Sequence, residues 1–67
     1  MTKPQLLTIL DTTTSKVNDK QVVSVSSRHL EMGFALRGQD FSSWLTRLHL
    51  KGMAYTKNEG VIYFQPK

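Results

Sequence analysis

Apolar residues fall into short groups along the chain, and their spacing changes from group to group. Leu6, Leu7, Ile9 and Leu10 give an apolar side to a first helix over residues 4 to about 14. Pro4 fits its first turn, where the missing N–H costs nothing. Thr12-Thr13-Thr14-Ser15 should fray that helix, because these residues lose rotamer freedom or bond their own backbone. A polar loop is expected from Ser15 to Gln21. Val22, Val23 and Val25 are β-branched and predict a brief strand. Ser26 or Ser27 then reads as the N-cap of a second helix, Ser27 to about Leu36, with Glu31 supporting its first turn. Leu30 and Phe34 are its expected core residues, with Met32 a weaker candidate. Gly33 costs a helix interior about 1 kcal/mol against alanine. Either the helix ends near it or a neighbour packs closely there.

The stretch Gln39 to Gly52 has the strongest two-sided pattern. Phe41, Leu45 and Leu48 recur at i, i+4 and i+7, which lines one side of a helix. Trp44 flanks the stripe, and Leu50 does so more loosely. Ser42, Ser43, Thr46 and Arg47 fall on the opposite side. Gln39 or Asp40 can cap the N-terminus, where Asp40 also suits the positive end of the helix dipole. Gly52 after Lys51 is a common helix stop.

Met53 to Lys57 and Val61 to Gln65 predict two strands joined at Asn58-Glu59-Gly60. A three-residue loop, built on a type I turn closed by a glycine at positive φ, would set Lys57 opposite Val61. Ala54, Thr56, Ile62 and Phe64 would then share the core face, and Tyr55 would face Tyr63. A two-residue loop would reverse the partners on one strand.

The predicted order is helix, short strand, helix, turn, helix, hairpin: an α+β fold in one domain, residues 1–67. The second and third helices are about four residues apart with Gly38 between them, a helix-turn-helix spacing. Val22 to Gln65 resembles a winged helix-turn-helix domain. The resemblance rests on Val25-Ser26-Ser27-Arg28-His29-Leu30, on Phe41-Ser42-Ser43-Trp44-Leu45-Thr46-Arg47-Leu48, and on Leu50-Lys51-Gly52-Met53 leading into a hairpin with Tyr63. With the first helix added it covers nearly the whole chain. It implies a three-helix domain with a C-terminal two-stranded β-hairpin wing, similar to minimal regulators of bacteria, plasmids and phages.

Charge points the same way. Nine Lys and Arg against five Asp and Glu leave a formal +4, which favours polyanions, chiefly nucleic acid and secondarily anionic membrane. No cysteine is present, and no apolar run approaches the roughly 20 residues that span a bilayer. Met1-Thr2-Lys3-Pro4 lacks a signal-peptide apolar stretch. Cytoplasmic location is the expectation, with no membrane partner.

The resemblance implies that the third helix enters the DNA major groove, presenting Gln39, Ser42, Ser43, Thr46 and Arg47. Their chemistry suits that role. Arginine bridges guanine O6 and N7, glutamine bridges adenine N6 and N7, and hydroxyls reach phosphates or bases. Arg28, in the first turn of the second helix, is a candidate phosphate contact. So are Lys57 and Asn58 at the wing tip, beside an unfavourable Glu59. Arg37 and Lys51 are weaker candidates. Trp44 is either a core residue or an interface residue.

Enzyme chemistry has no foothold. His29 and His49 form no metal-ligand spacing, no glycine-rich phosphate loop occurs, and no serine lies in a nucleophile elbow. His49 is expected to be partly buried. No cofactor, metal or small-molecule substrate is expected. The expected function is sequence-specific binding of double-stranded DNA, as a transcriptional regulator or in an architectural or recombination role. A single copy offers few contacts, so specificity calls for a homodimer or a larger protein partner. The other class is a winged-helix module that binds a protein through the third helix or the hairpin aromatics.

Overall fold

The computed structural model describes residues 1–67 and consists of three helices and a three-stranded antiparallel sheet. Helix α1 is Lys3–Asn18, strand β1 Val23–Ser26, helix α2 Ser27–Leu36, helix α3 Phe41–Leu50, strand β2 Met53–Asn58 and strand β3 Val61–Pro66. The sheet order is β1-β3-β2.

Helix α1 starts earlier and runs further than its sequence predicts. Thr2 caps it, and Gln5 reaches back to the Thr2 N–H in a capping box. The threonines do not fray it. Leu6, Leu10, Thr13 and Val17 all lie on its buried side at helical spacing. Tertiary burial of Thr13 and Val17 therefore outweighs the weak propensity of Thr12 to Ser15. The helix closes in a Schellman turn, in which Gln21 N–H donates to Lys16 O and Lys20 N–H to Val17 O. Lys20 occupies the left-handed position of that turn, at φ 57°.

Helix α2 spans the expected residues. Ser26 is its N-cap, accepting from the His29 N–H at 3.4 Å. Glu31 lies beyond the first turn and does not support it. Met32 is 43% exposed and no part of the core. Gly33 marks a close approach and not a helix end, because α1 packs directly over it. After Leu36 a second Schellman turn uses Gly38 at φ 67°, with Gln39 N–H donating to Phe34 O and Gly38 N–H to Ala35 O.

The hairpin differs most from expectation. Asn58 pairs with Val61, so the loop is the two residues Glu59 and Gly60, both at positive φ, a type I′ geometry. Tyr55 therefore stands opposite Phe64, and Thr56 opposite Tyr63. Met53 and Tyr55 share the inner face with Ile62 and Phe64, while Ala54 and Thr56 turn outward. The core sets this register: it takes Met53 in place of Ala54 and so buries more apolar surface. Nor is the hairpin a free two-stranded wing. Strand β1 pairs with β3 from Val23↔Phe64 to Ser26↔Val61. The turn itself is held, because the Ser27 N–H donates to the Gly60 carbonyl at 2.9 Å.

Helices and sheet close over one apolar cluster containing Leu30, Phe34, Trp44, Met53, Ile62 and Phe64. Trp44 belongs to it and is only 7% exposed. Its ring lies 4.8 Å from Phe34 and 5.5 Å from Phe64, the latter edge-on. Phe41 and Leu45 are half-buried at the margin of the cluster. Leu50, at 79% exposure, is outside it altogether. No buried side-chain nitrogen or oxygen lacks a hydrogen-bond partner.

Candidate functional site

Burying Trp44 and Leu48 fixes how α3 is rolled about its axis. The opposite side is left to solvent: Ser42, Ser43, Thr46 and Arg47 are all exposed. They form two helical rows. Ser42, Thr46 and His49 lie along one, and Ser43, Arg47 and Leu50 along the other. Gln39 is exposed just ahead of the N-cap.

Hydrogen bonding within α3 divides these groups by the donors they have left. The Ser43 hydroxyl donates to Asp40 Oδ2 at 2.7 Å, and the Ser43 N–H donates to the same oxygen at 3.3 Å. The Thr46 hydroxyl donates to the Ser42 carbonyl at 3.1 Å. Ser43 and Thr46 therefore present hydroxyl lone pairs outward, and their protons are already used. Gln39, Ser42 and Arg47 make no side-chain hydrogen bond within the chain and keep their donors free. Arg47 has no carboxylate within ion-pair distance either. The Ser43 hydroxyl bond, aided by the Ser43 and Ser42 N–H groups and the charge on Arg47, holds the Asp40 carboxyl below the usual aspartate value against an opposing desolvation. Asp40 is thus an ionised cap at the start of the face.

An open groove of about 390 Å³ runs between α3 and β2, lined by Ser42, Leu45, Thr46, His49 and Tyr55. His49 and Tyr55 were not among the residues expected on this surface. His49 is exposed, not partly buried. Its helical spacing from Ser42 and Thr46 carries that signal. Tyr55 depends on the hairpin register, which the sequence leaves open.

The outlying candidates are arranged differently. Arg28 is exposed on the first turn of α2 and shares a shallow hollow with Met1, Leu6, His29 and Met32, toward α1. Lys57 is exposed but leans toward α2, with its Nζ 3.7 Å from Glu31 Oε1 and 6.0 Å from the Phe41 ring centroid. It is therefore partly neutralised. Asn58 ends β2, exposed beside the turn. Arg37 pairs with Asp11 at 2.9 Å and ties α2 to α1. His29 and His49 are on separate helices, and no three His, Cys, Asp or Glu residues come together. No helix is long and apolar enough to cross a membrane. Comparison with family models, with curated proteins and with solved structures finds no match to this chain.

Proposed function

We propose that this chain is a small winged helix-turn-helix protein that binds double-stranded DNA through the exposed side of α3, acting as a transcriptional regulator. The observation that carries the reading is the split character of α3: Trp44 and Leu48 are buried, while Ser42, Ser43, Thr46 and Arg47 face solvent. Small hydroxyl residues let a helix seat closely in a major groove, and a free guanidinium can bridge guanine O6 and N7. The order helix, strand, helix, four-residue turn, helix, hairpin supports the same reading, as does the formal charge of +4. Lys57 contributes less than its place near the turn suggests, because Glu31 partners it.

The test is titration of labelled duplex DNA over a range of salt. Affinity should fall steeply as salt rises. Arg47→Ala should cost about 1–3 kcal/mol on a preferred sequence, and Ser43→Glu should abolish binding by setting a second carboxylate beside Asp40. Both variants should keep the near-ultraviolet signal of Trp44. Absence of salt-dependent duplex binding overturns the reading.

A protein-binding role is the second reading. It is favoured by Leu50, almost fully exposed on α3, and by Tyr55 beside the groove. It requires that Leu50→Ser or Tyr55→Ser abolish a protein complex while duplex binding is absent.

A further inference from the structure

The charges of this chain are separated along α3. Three of the five carboxylates lie on the side of its N-terminal end, spread apart and with Lys57 among them. Asp40 caps the helix, Glu31 reaches the strand beside the hairpin turn through Lys57, and Glu59 is in that turn. Three lysines gather at the other end, around Gly52. Lys51 precedes it in the chain. The Lys20 Nζ arrives from the end of α1 and comes within 3.8 Å of where a Gly52 Cβ would sit. Lys67 arrives from the end of β3, its N–H donating to the Gly52 carbonyl at 2.9 Å. Lys20 and Lys51 also line one hollow with Val17, Asn18, Leu48 and Met53.

A cation at a helix C-terminus ordinarily serves the dipole. Lys67 already does so here, with its Nζ 3.1 Å from the His49 carbonyl and 2.9 Å from His49 Nε2. Lys20 and Lys51 are in excess of that need. Neither is within ion-pair distance of a carboxylate, although Asp19 is next to Lys20 in the chain. Two unpaired ammonium groups beside a shared hollow repel each other, and an added anion would relieve that repulsion. Arg47 lies one helical turn before Lys51, so this patch continues from the polar side of α3.

We propose that Lys20 and Lys51, gathered about Gly52, form a phosphate-contact site for the DNA backbone at the end of α3 opposite the hairpin turn. The inference rests on the duplex-binding reading above and places the electrostatic contacts of that surface. The groove then takes the side of α3 from Ser42 to Arg47, and the backbone phosphates gather toward its C-terminal end. The hairpin turn, held to α2 through Gly60 and carrying Glu59, is not the principal phosphate clamp.

The test compares the intact protein with a Lys20→Asn/Lys51→Gln pair, with Lys57→Gln and with Arg47→Ala on a random-sequence duplex. Asparagine tolerates the left-handed conformation at residue 20, so the pair should stay folded. Each lost phosphate contact lowers the slope of log affinity against log salt by about 0.9. The pair should therefore lower it by nearly two and weaken binding alike on all sequences, whereas Lys57→Gln should leave the slope unchanged. A pair that keeps the slope and affinity of the intact protein, while Arg47→Ala weakens binding, overturns this site alone. An intact protein without duplex affinity overturns both readings. Lys51→Gln by itself removes only an exposed side chain, and its slope should fall by about 0.9. An unchanged slope there counts against the site in the same way.

Discussion

Gly33 of α2 lies directly against Leu10 of α1. A Cβ at residue 33 would sit 3.1 Å from the Leu10 Cβ and 3.1 Å from the Leu6 carbonyl oxygen. Both contacts involve groups fixed to the α1 backbone, so neither can swing away. Gly33→Ala adds helix propensity worth about 1 kcal/mol but must push the two helices apart. The expected outcome is a net loss of about 1–2 kcal/mol in urea unfolding, larger for Gly33→Val. A stabilised alanine variant would show that α1 slides at little cost.

Lys20 bears the opposite relation to its backbone. At φ 57° it holds a conformation that costs a side-chain-bearing residue roughly 1 kcal/mol and glycine almost nothing. Lys20→Gly should therefore raise stability by about 0.5–1 kcal/mol, read as a higher urea midpoint at constant slope. The same substitution should weaken duplex binding, separating the fold from the surface.

Glu59 occupies the first loop position of a type I′ turn at φ 51°. Asparagine before Gly60 is the favoured pair for that geometry. Glu59→Asn should stabilise the chain by a few tenths of a kcal/mol to about 1 kcal/mol, measured by thermal unfolding. It also removes a carboxylate, so duplex affinity should rise slightly. A destabilised variant would argue for the three-residue loop.

Trp44 joins the two halves of the core through Phe34 and Phe64. Truncating such a residue costs about 3–5 kcal/mol. A chain of 67 residues has only about 3–10 kcal/mol in total. Trp44→Ala should therefore be largely unfolded at room temperature, seen as lost dispersion in an amide spectrum. Trp44→Phe should stay folded with a lowered midpoint.

The Asp40 carboxyl titrates below the usual aspartate value because the folded chain supplies the Ser43 hydroxyl. Its contribution is present above the unfolded-state value and is lost as pH falls through the lower folded-state value. The melting temperature should drop across that acid range. In Asp40→Asn, which keeps a capping oxygen but cannot titrate, that part of the drop should vanish. Equal acid slopes for the two proteins would mean that Asp40 is not held ionised by its cap.

Local signals alone determined much of this molecule. Periodic leucines, capping residues and glycine stops set α2, the four-residue turn and α3, because these elements depend on neighbours three or four positions away. The exposed polar side of α3 was legible for the same reason. Only tertiary structure decided the rest. Packing against Gly33 and the core carried α1 past its threonines to Asn18. Apolar burial chose Met53 over Ala54 as an inner residue, which set a two-residue loop and put Tyr55 opposite Phe64, still 45% exposed. Pairing of β1 with β3 joined the expected short strand to the hairpin, making one three-stranded sheet in place of a two-stranded wing. The lysines at 20, 51 and 67 are far apart in the chain, and their meeting at Gly52 depends on where α1, α3 and β3 end in space. Charge composition records how many cations there are; only the packed chain decides which ones are left without partners.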